Sequence, residues 1–148
     1  MMRECIKTDV LVIGGGGAGF RAAIGAREKG AKTLLLSKGP LARCGATPMA
    51  GADYTLDGMS LSKMGFTGEP KDSREKFMND MLTNGFFLNN QKLCEQYIKN
   101  APQRLQELKD WGWDITFSEE RAVGGSGIGI MDALLKQARQ VGVSLMED

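Results

Sequence analysis

The apolar positions near the amino terminus fall into two short unbroken blocks, DVLVI at Asp9–Ile13 and TLLL at Thr33–Leu36. Runs of aliphatic and β-branched residues without polar alternation predict strands buried on both faces of a parallel sheet. Between them, GAGFRAAIGAREK at Gly17–Lys29 is rich in alanine and predicts a helix, with Gly30 placed for a left-handed C-cap. Strand, glycine turn, helix and strand within about 30 residues form a βαβ unit, whose crossover is right-handed.

The middle of the chain changes character. From Gly39 to Gly68, glycine, alanine and methionine recur without a steady period, which predicts a long ordered loop holding one short helix. Asp72 and Glu75 have the spacing of a capping box, and Phe77, Met78, Met81 and Leu82 follow at helical intervals. A second helix is predicted from near Asn90, carrying Leu93, Cys94, Tyr97 and Ile98. A third is opened by Pro102, with Leu105, Leu108 and Trp111 on one face and Gly112 at its end. Trp113–Phe117 reads as a short strand. VGGSGIGI then reads as a loop entering the helix MDALLKQARQ, which stops at Gly142 before the strand VSLMED.

Chemistry enters at the first turn. Gly14, Gly16 and Gly19 satisfy G-x-G-x-x-G directly after a predicted strand and at the start of a predicted helix. The first glycine permits the tight turn, the second lets backbone approach a pyrophosphate, and the third lets helix and strand pack. The helix N-terminus complements the phosphate charge. This context predicts dinucleotide binding. The acidic residue usual for the ribose hydroxyl at the end of the second strand is replaced by Ser37, whose neutral hydroxyl makes a less discriminating bond. Arg21 reads either as a phosphate neighbour or as an exposed helical cation, GGSGIG at Gly124–Gly129 as a flexible loop in preference to a second anion cradle, and Trp111 and Trp113 as packing residues in preference to stacking on a base or flavin.

Composition narrows the partners. At 148 residues and 42% hydrophobic, the chain is one domain in length with enough apolar content for a core. Nineteen basic and eighteen acidic side chains leave a net charge of +1, so no global field points to nucleic acid or an anionic membrane. Cys5, Cys44 and Cys94 are far apart and form no metal-binding or redox pair, and there is no histidine to serve as metal ligand or general acid or base. No metal site is expected. No apolar run reaches the roughly 18 residues of a membrane span, and MMRECIKTD lacks the apolar centre of a secretion signal, so a cytoplasmic chain is expected.

The blocks GGGGAGFRAA, LLLSKGP and ARCGATPMAGA, with LKDWGWDITF further on, resemble the amino-terminal FAD-binding segment of the succinate dehydrogenase and fumarate reductase flavoprotein family, which includes L-aspartate oxidase. The likeness covers nearly the whole chain. It implies an α/β fold: a Rossmann-like FAD-binding βαβ core with a parallel sheet and an added helical segment, spanning residues 1–148 as one FAD-binding domain. It places Gly14, Gly16, Gly17, Ala18 and Gly19 at the pyrophosphate and Ser37, Lys38 and Gly39 on the adenosine side. Arg43, Cys44, Gly45, Ala46, Thr47, Ala50, Gly51 and Ala52 would run along the flavin. The cofactor implied is FAD and not NAD; Ser37 and the RCGATPMAGA block argue against a nicotinamide dehydrogenase.

Two departures from the family pattern matter. Cys44 and Gly45 stand where the family has Ser-His, so the histidine that carries covalent flavin in membrane-bound members is glycine here. Non-covalent FAD is therefore expected, with a lean toward fumarate-type reduction, and Cys44 reads as a small buried residue in place of serine in preference to a redox or adduct-forming thiol beside the flavin. MAGA at Met49–Ala52 replaces paired glycines, and Ala52 adds a methyl beside the flavin path. In the family, the proton-delivering arginine and the dicarboxylate clamps lie in a capping domain and later segments beyond the matched portion. The expectation is thus the amino-terminal part of a larger FAD-dependent oxidoreductase, moving hydride between flavin and a dicarboxylate-like substrate, with no catalytic residue in this chain. An iron-sulfur subunit would be separate, and any tie to the inner membrane would pass through partner subunits. The alternative is a truncated or split, non-catalytic FAD-binding module that needs a partner chain.

Overall fold

In the computed structural model, which describes residues 5–51 and 53–147, the chain runs β1 (Val10–Ile13), α1 (Gly17–Glu28), β2 (Thr33–Ser37), a 3-10 turn (Thr47–Met49), β3 (Asp53–Thr55), α2 (Gly58–Lys63), α3 (Arg74–Asn84), α4 (Gln91–Asp110), β4 (Ile115–Ser118), β5 (Ala122–Gly125), α5 (Gly127–Gln140) and β6 (Ser144–Glu147). It divides into two units, one drawn from Met1–Ala50 and Ser126–Asp148, the other from Gly51–Gly125.

The first unit is the α/β core. β1, β2 and β6 form a parallel sheet in the order β1-β2-β6. α1 packs on β1, β2 and α5, burying its Phe20, Ala23 and Ile24, and α5 buries Met131, Leu134 and Ala138. Gly30 takes φ +88° beyond α1, the expected left-handed cap. One expectation fails: β1 is not covered on both faces, since Leu11 and Ile13 are 51% and 77% exposed. Side chains alternate along a strand. Val12 points at Gly19 of α1, so Leu11 and Ile13 face away from that helix on a strand at the sheet's edge.

α5 begins earlier than the sequence pattern suggests. β5 leads directly into Ser126, whose hydroxyl accepts from Gly129 N–H at 3.0 Å and caps the helix. Two glycines in the first turn, poor helix formers, hide this start from propensity, while the cap supplies the missing acceptor.

The second unit holds an antiparallel sheet in the order β3-β5-β4 and helices α2 to α4. The stretch read as a loop at 39–68 contains the 3-10 turn, β3 and α2. The two helices expected around Pro102 are one, α4, with Pro102 inside it. Cys94, Ile98, Ala101, Leu105 and Leu108 are buried at spacings of four, three, four and three. That stripe is continuous across the proline. An interior proline costs about 3 kcal/mol, and burying several aliphatic side chains at about 1.5–3 kcal/mol each offsets it.

α3 is capped by Ser73, which accepts from Lys76 N–H at 3.2 Å, and not by Asp72. Asp72 is buried and has another task. Its carboxylate accepts from Gly58 N–H at 2.8 Å and from Arg121 Nε at 2.7 Å, with a further bond from Arg121 Nη2. Arg121 also donates to Asp80 at 2.7 Å and lies over the Phe77 ring. These bonds tie the starts of α2, α3 and β5 together. Hydrogen bonds from Arg121 hold the Asp72 carboxyl below the usual carboxylate range in spite of burial.

Because the folded pKa is depressed, this stabilisation is complete above the unfolded value of about 3.9 and disappears as pH falls through the folded one. Asp72→Asn is expected to cost about 2–4 kcal/mol at pH 7. In thermal melts the gap between parent and variant should narrow from pH 7 to pH 3; a gap independent of pH would contradict this role for the carboxylate.

Candidate functional site

The turn between β1 and α1 is made of backbone. β1 ends where Gly14 N–H donates to the Leu36 carbonyl of β2 at 2.8 Å, and Gly14 turns the chain with φ +116°, a conformation costly for any residue with a Cβ. The chain returns so tightly that a Cβ on Gly19 would overlap the Gly14 carbonyl oxygen. Helix and turn can therefore stack only with glycine there. Gly16 is the N-cap, extended at φ −82° and ψ 178°, and its position supplies no side-chain cap. Gly17 N–H donates to Thr47 Oγ1 at 3.2 Å. A Cβ on Gly16 would meet nothing nearer than Thr47 Oγ1 at 3.9 Å. The turn thus presents first-turn amides of α1, including Ala18 and Gly19, without a side chain between them and an approaching anion. A pyrophosphate fits this donor set.

Ser37 closes β2 at 1% exposure, its hydroxyl donating to the Gly39 carbonyl at 2.8 Å and standing 3.7 Å from Cys44 Sγ. A Cβ on Gly15 would lie 2.6 Å from Ser37 Oγ. Gly15 is a requirement that G-x-G-x-x-G does not specify, visible in the sequence only as the second glycine of an uninterrupted run of four. Lys38 is exposed.

The following loop is pinned from three sides. Arg43 donates to Asp132 of α5 at 2.6 Å and to the Ala42 carbonyl at 3.0 Å; both ionic side chains are half exposed, so the pair is worth little. Cys44 is a free thiol that is half-buried, where a fully buried one was expected. Gly45 takes φ +88°, where a side-chain-bearing residue would be strained. Ala46 precedes the 3-10 turn, in which Thr47 meets the start of α1 and the Ala50 carbonyl accepts from Gly127 N–H at 3.1 Å. The first turns of α1 and α5 therefore share one short support. Gly51 falls in the second unit, and Ala52 lies outside the described residues.

At the carboxyl ends of the parallel strands a cleft of about 450 Å³ is lined by Ile13, Gly14, Ser37, Lys38, Met146 and Glu147. In open α/β sheets this is the edge where ligands bind. Glu147 carries no local signature in the sequence; it ends β6 opposite Ser37 and accepts from Leu41 N–H at 2.6 Å. Arg21 lies 3.6 Å from Glu28, two turns along α1 toward its C-terminus. A groove of about 510 Å³ between α3 and α4 belongs to the second unit. It is walled by helices whose backbones bond internally, so it offers side chains alone. In the same unit Tyr54 is packed near Tyr97, and burial raises its phenol well above the ordinary value. Among the described residues no helix is long and apolar enough to cross a membrane.

Residues 9–144 match the FAD binding domain family. The chain is 39% identical over 125 residues to an uncharacterized FAD-dependent oxidoreductase of Methanocaldococcus jannaschii, covering 81% of this chain and 21% of that protein. It is 34% identical over 112 residues to a fumarate reductase (CoM/CoB) polypeptide of Methanothermobacter marburgensis, covering 76% and 19%. Among solved structures, the Mycobacterium smegmatis Sdh1 complex in the apo form matches with a TM-score of 0.79 at 25% identity, over 95% of this chain and 27% of that one. The chain spans about a fifth of the length of the curated relatives it matches. A parallel βαβ core, a side-chain-free glycine turn and this match over almost all of the sequence lead to one conclusion: the chain belongs to the FAD binding domain family that includes the fumarate reductase and succinate dehydrogenase flavoproteins, and FAD is its cofactor.

Proposed function

We propose that this chain binds FAD, without a covalent bond, for a flavoprotein oxidoreductase of the fumarate reductase and succinate dehydrogenase type. The observation that carries the reading is the glycine turn, where Gly19 has no room for a Cβ while one on Gly16 would meet only Thr47 Oγ1, at an ordinary contact distance of 3.9 Å. Gly14, Gly16, Gly17, Ala18 and Gly19 hold the pyrophosphate, and Ser37, Lys38 and Gly39 border the adenosine. Arg43 to Thr47 and Ala50 follow the flavin. At Gly45 there is no side chain to bond the isoalloxazine, which supports non-covalent binding. The bound FAD supplies hydride chemistry, and the protein contributes position and electrostatics. The fumarate reductases among its relatives support a dicarboxylate-like substrate for the whole protein. The dispersed Cys5, Cys44 and Cys94 do not form an iron-sulfur site; an iron-sulfur partner subunit would hold such a cluster, and any membrane association would pass through such partners.

A second reading, a non-catalytic module that holds FAD for a partner chain, is favoured by one feature. A sequence without histidine offers no imidazole to clamp or protonate a dicarboxylate.

Two glycine variants separate binding from folding. Gly16→Ala should cost no more than about 1 kcal/mol of stability, the difference between glycine and alanine at an N-cap, and lose FAD affinity by roughly tenfold or more as its methyl enters the anion's place. Gly19→Ala should instead lower stability by about 1–3 kcal/mol. Fluorescence titration with FAD and thermal melts read both, and a Gly16→Ala chain with parental affinity would remove the pyrophosphate from this turn. Acid precipitation of the FAD-loaded protein should release the yellow colour into the supernatant; colour kept in the pellet would contradict the non-covalent assignment.

A further inference from the structure

The dinucleotide fold ordinarily ends its second strand in a carboxylate that accepts from the adenosine ribose. Here that place belongs to Ser37, buried, with its hydroxyl proton already given to Gly39. A carboxylate is nonetheless present at the same edge of the sheet. Glu147 ends β6 in direct register with Ser37, about 4.8 Å across a parallel strand pair, and lines the same cleft as Gly14, Ser37 and Lys38. Its side chain is held in place, because Oε2 accepts from Leu41 N–H at 2.6 Å, in the loop that leaves β2. A carboxylate can accept about four hydrogen bonds. Leu41 uses one.

Resting on the FAD reading above, we infer that Glu147 accepts the hydrogen bond of the adenosine ribose 2′-hydroxyl, so that β6 supplies the acid that β2 lacks. A hydroxyl bound to a carboxylate makes a charge-assisted bond about twice as strong as one to a neutral acceptor. Glu147, more than Ser37, therefore sets affinity at the adenosine end. Its bond to Leu41 also fixes the loop toward Arg43 and Cys44, which couples recognition of the ribose to the shape of the loop.

The test is a cycle between the carboxylate and the hydroxyl. FAD and its analogue built on 2′-deoxyadenosine are titrated by fluorescence into the parent chain and into Glu147→Ala and Glu147→Gln. The parent should bind the deoxy analogue roughly tenfold more weakly than FAD. In Glu147→Ala the two ligands should bind within about twofold of each other, because the partner of the hydroxyl is gone. Glu147→Gln, which can keep the Leu41 bond without the charge, should retain only part of the preference. If Glu147→Ala weakens both ligands by the same factor and the tenfold preference persists, the residue only anchors the loop and the inference is overturned. If the parent binds FAD and its analogue equally, the inference fails while the FAD reading stands; if the parent binds neither, both fail.

Discussion

Helix α1 starts on top of the turn that ends β1, with the Gly14 carbonyl occupying the space where a Cβ on Gly19 would be. That close approach organises the first unit. It sets the amino end of α1 at the carboxyl edge of the sheet, where unpaired amides and the helix dipole both favour an anion. It also brings other segments to the turn in a fixed order. Ser37 fits against Gly15 because neither bears a larger group, and Thr47 bonds to Gly17 from a loop 30 residues away in sequence. One steric condition thus gathers three separated stretches of sequence into one site.

The second unit is organised by a buried charge. Asp72 and Arg121 hold the starts of two helices and a strand through directional hydrogen bonds, and the Phe77 ring of α3 lies against the guanidinium. Polar groups in such a cluster are costly unless satisfied, and each oxygen of Asp72 has a donor. The two units therefore rest on different physics. The first depends on absent side chains, the second on a fully paired one.

Much of the core was legible because it obeys local rules. The blocks at Asp9–Ile13 and Thr33–Leu36, the helix between them and the glycine motif all follow from hydrophobic runs and backbone sterics. What escaped depended on distant partners. Pro102 looked like a boundary because a local rule forbids it inside helices, and only packing of Cys94 through Leu108 across it overrides that rule. The exposure of Leu11 and Ile13 follows from where β1 sits in the sheet, which a run of apolar residues does not encode. At the site, Gly14, Gly16 and Gly19 were identifiable from spacing, whereas Gly15 is required by Ser37 twenty-two positions later. Glu147 was invisible for the same reason: its register with Ser37 exists only once β6 has joined the sheet.

If the backbone turn is the cofactor cradle, it grips the ADP half of FAD, and ligands should stabilise the chain according to whether they carry that half. The direct measurement is the thermal midpoint of the chain with saturating FAD, ADP-ribose or FMN. FAD and ADP-ribose should both raise the midpoint, and FMN, which has no adenosine or pyrophosphate, should leave it near that of the free chain. A midpoint raised equally by FMN, or unmoved by FAD, would contradict a pyrophosphate site at Gly14–Gly19.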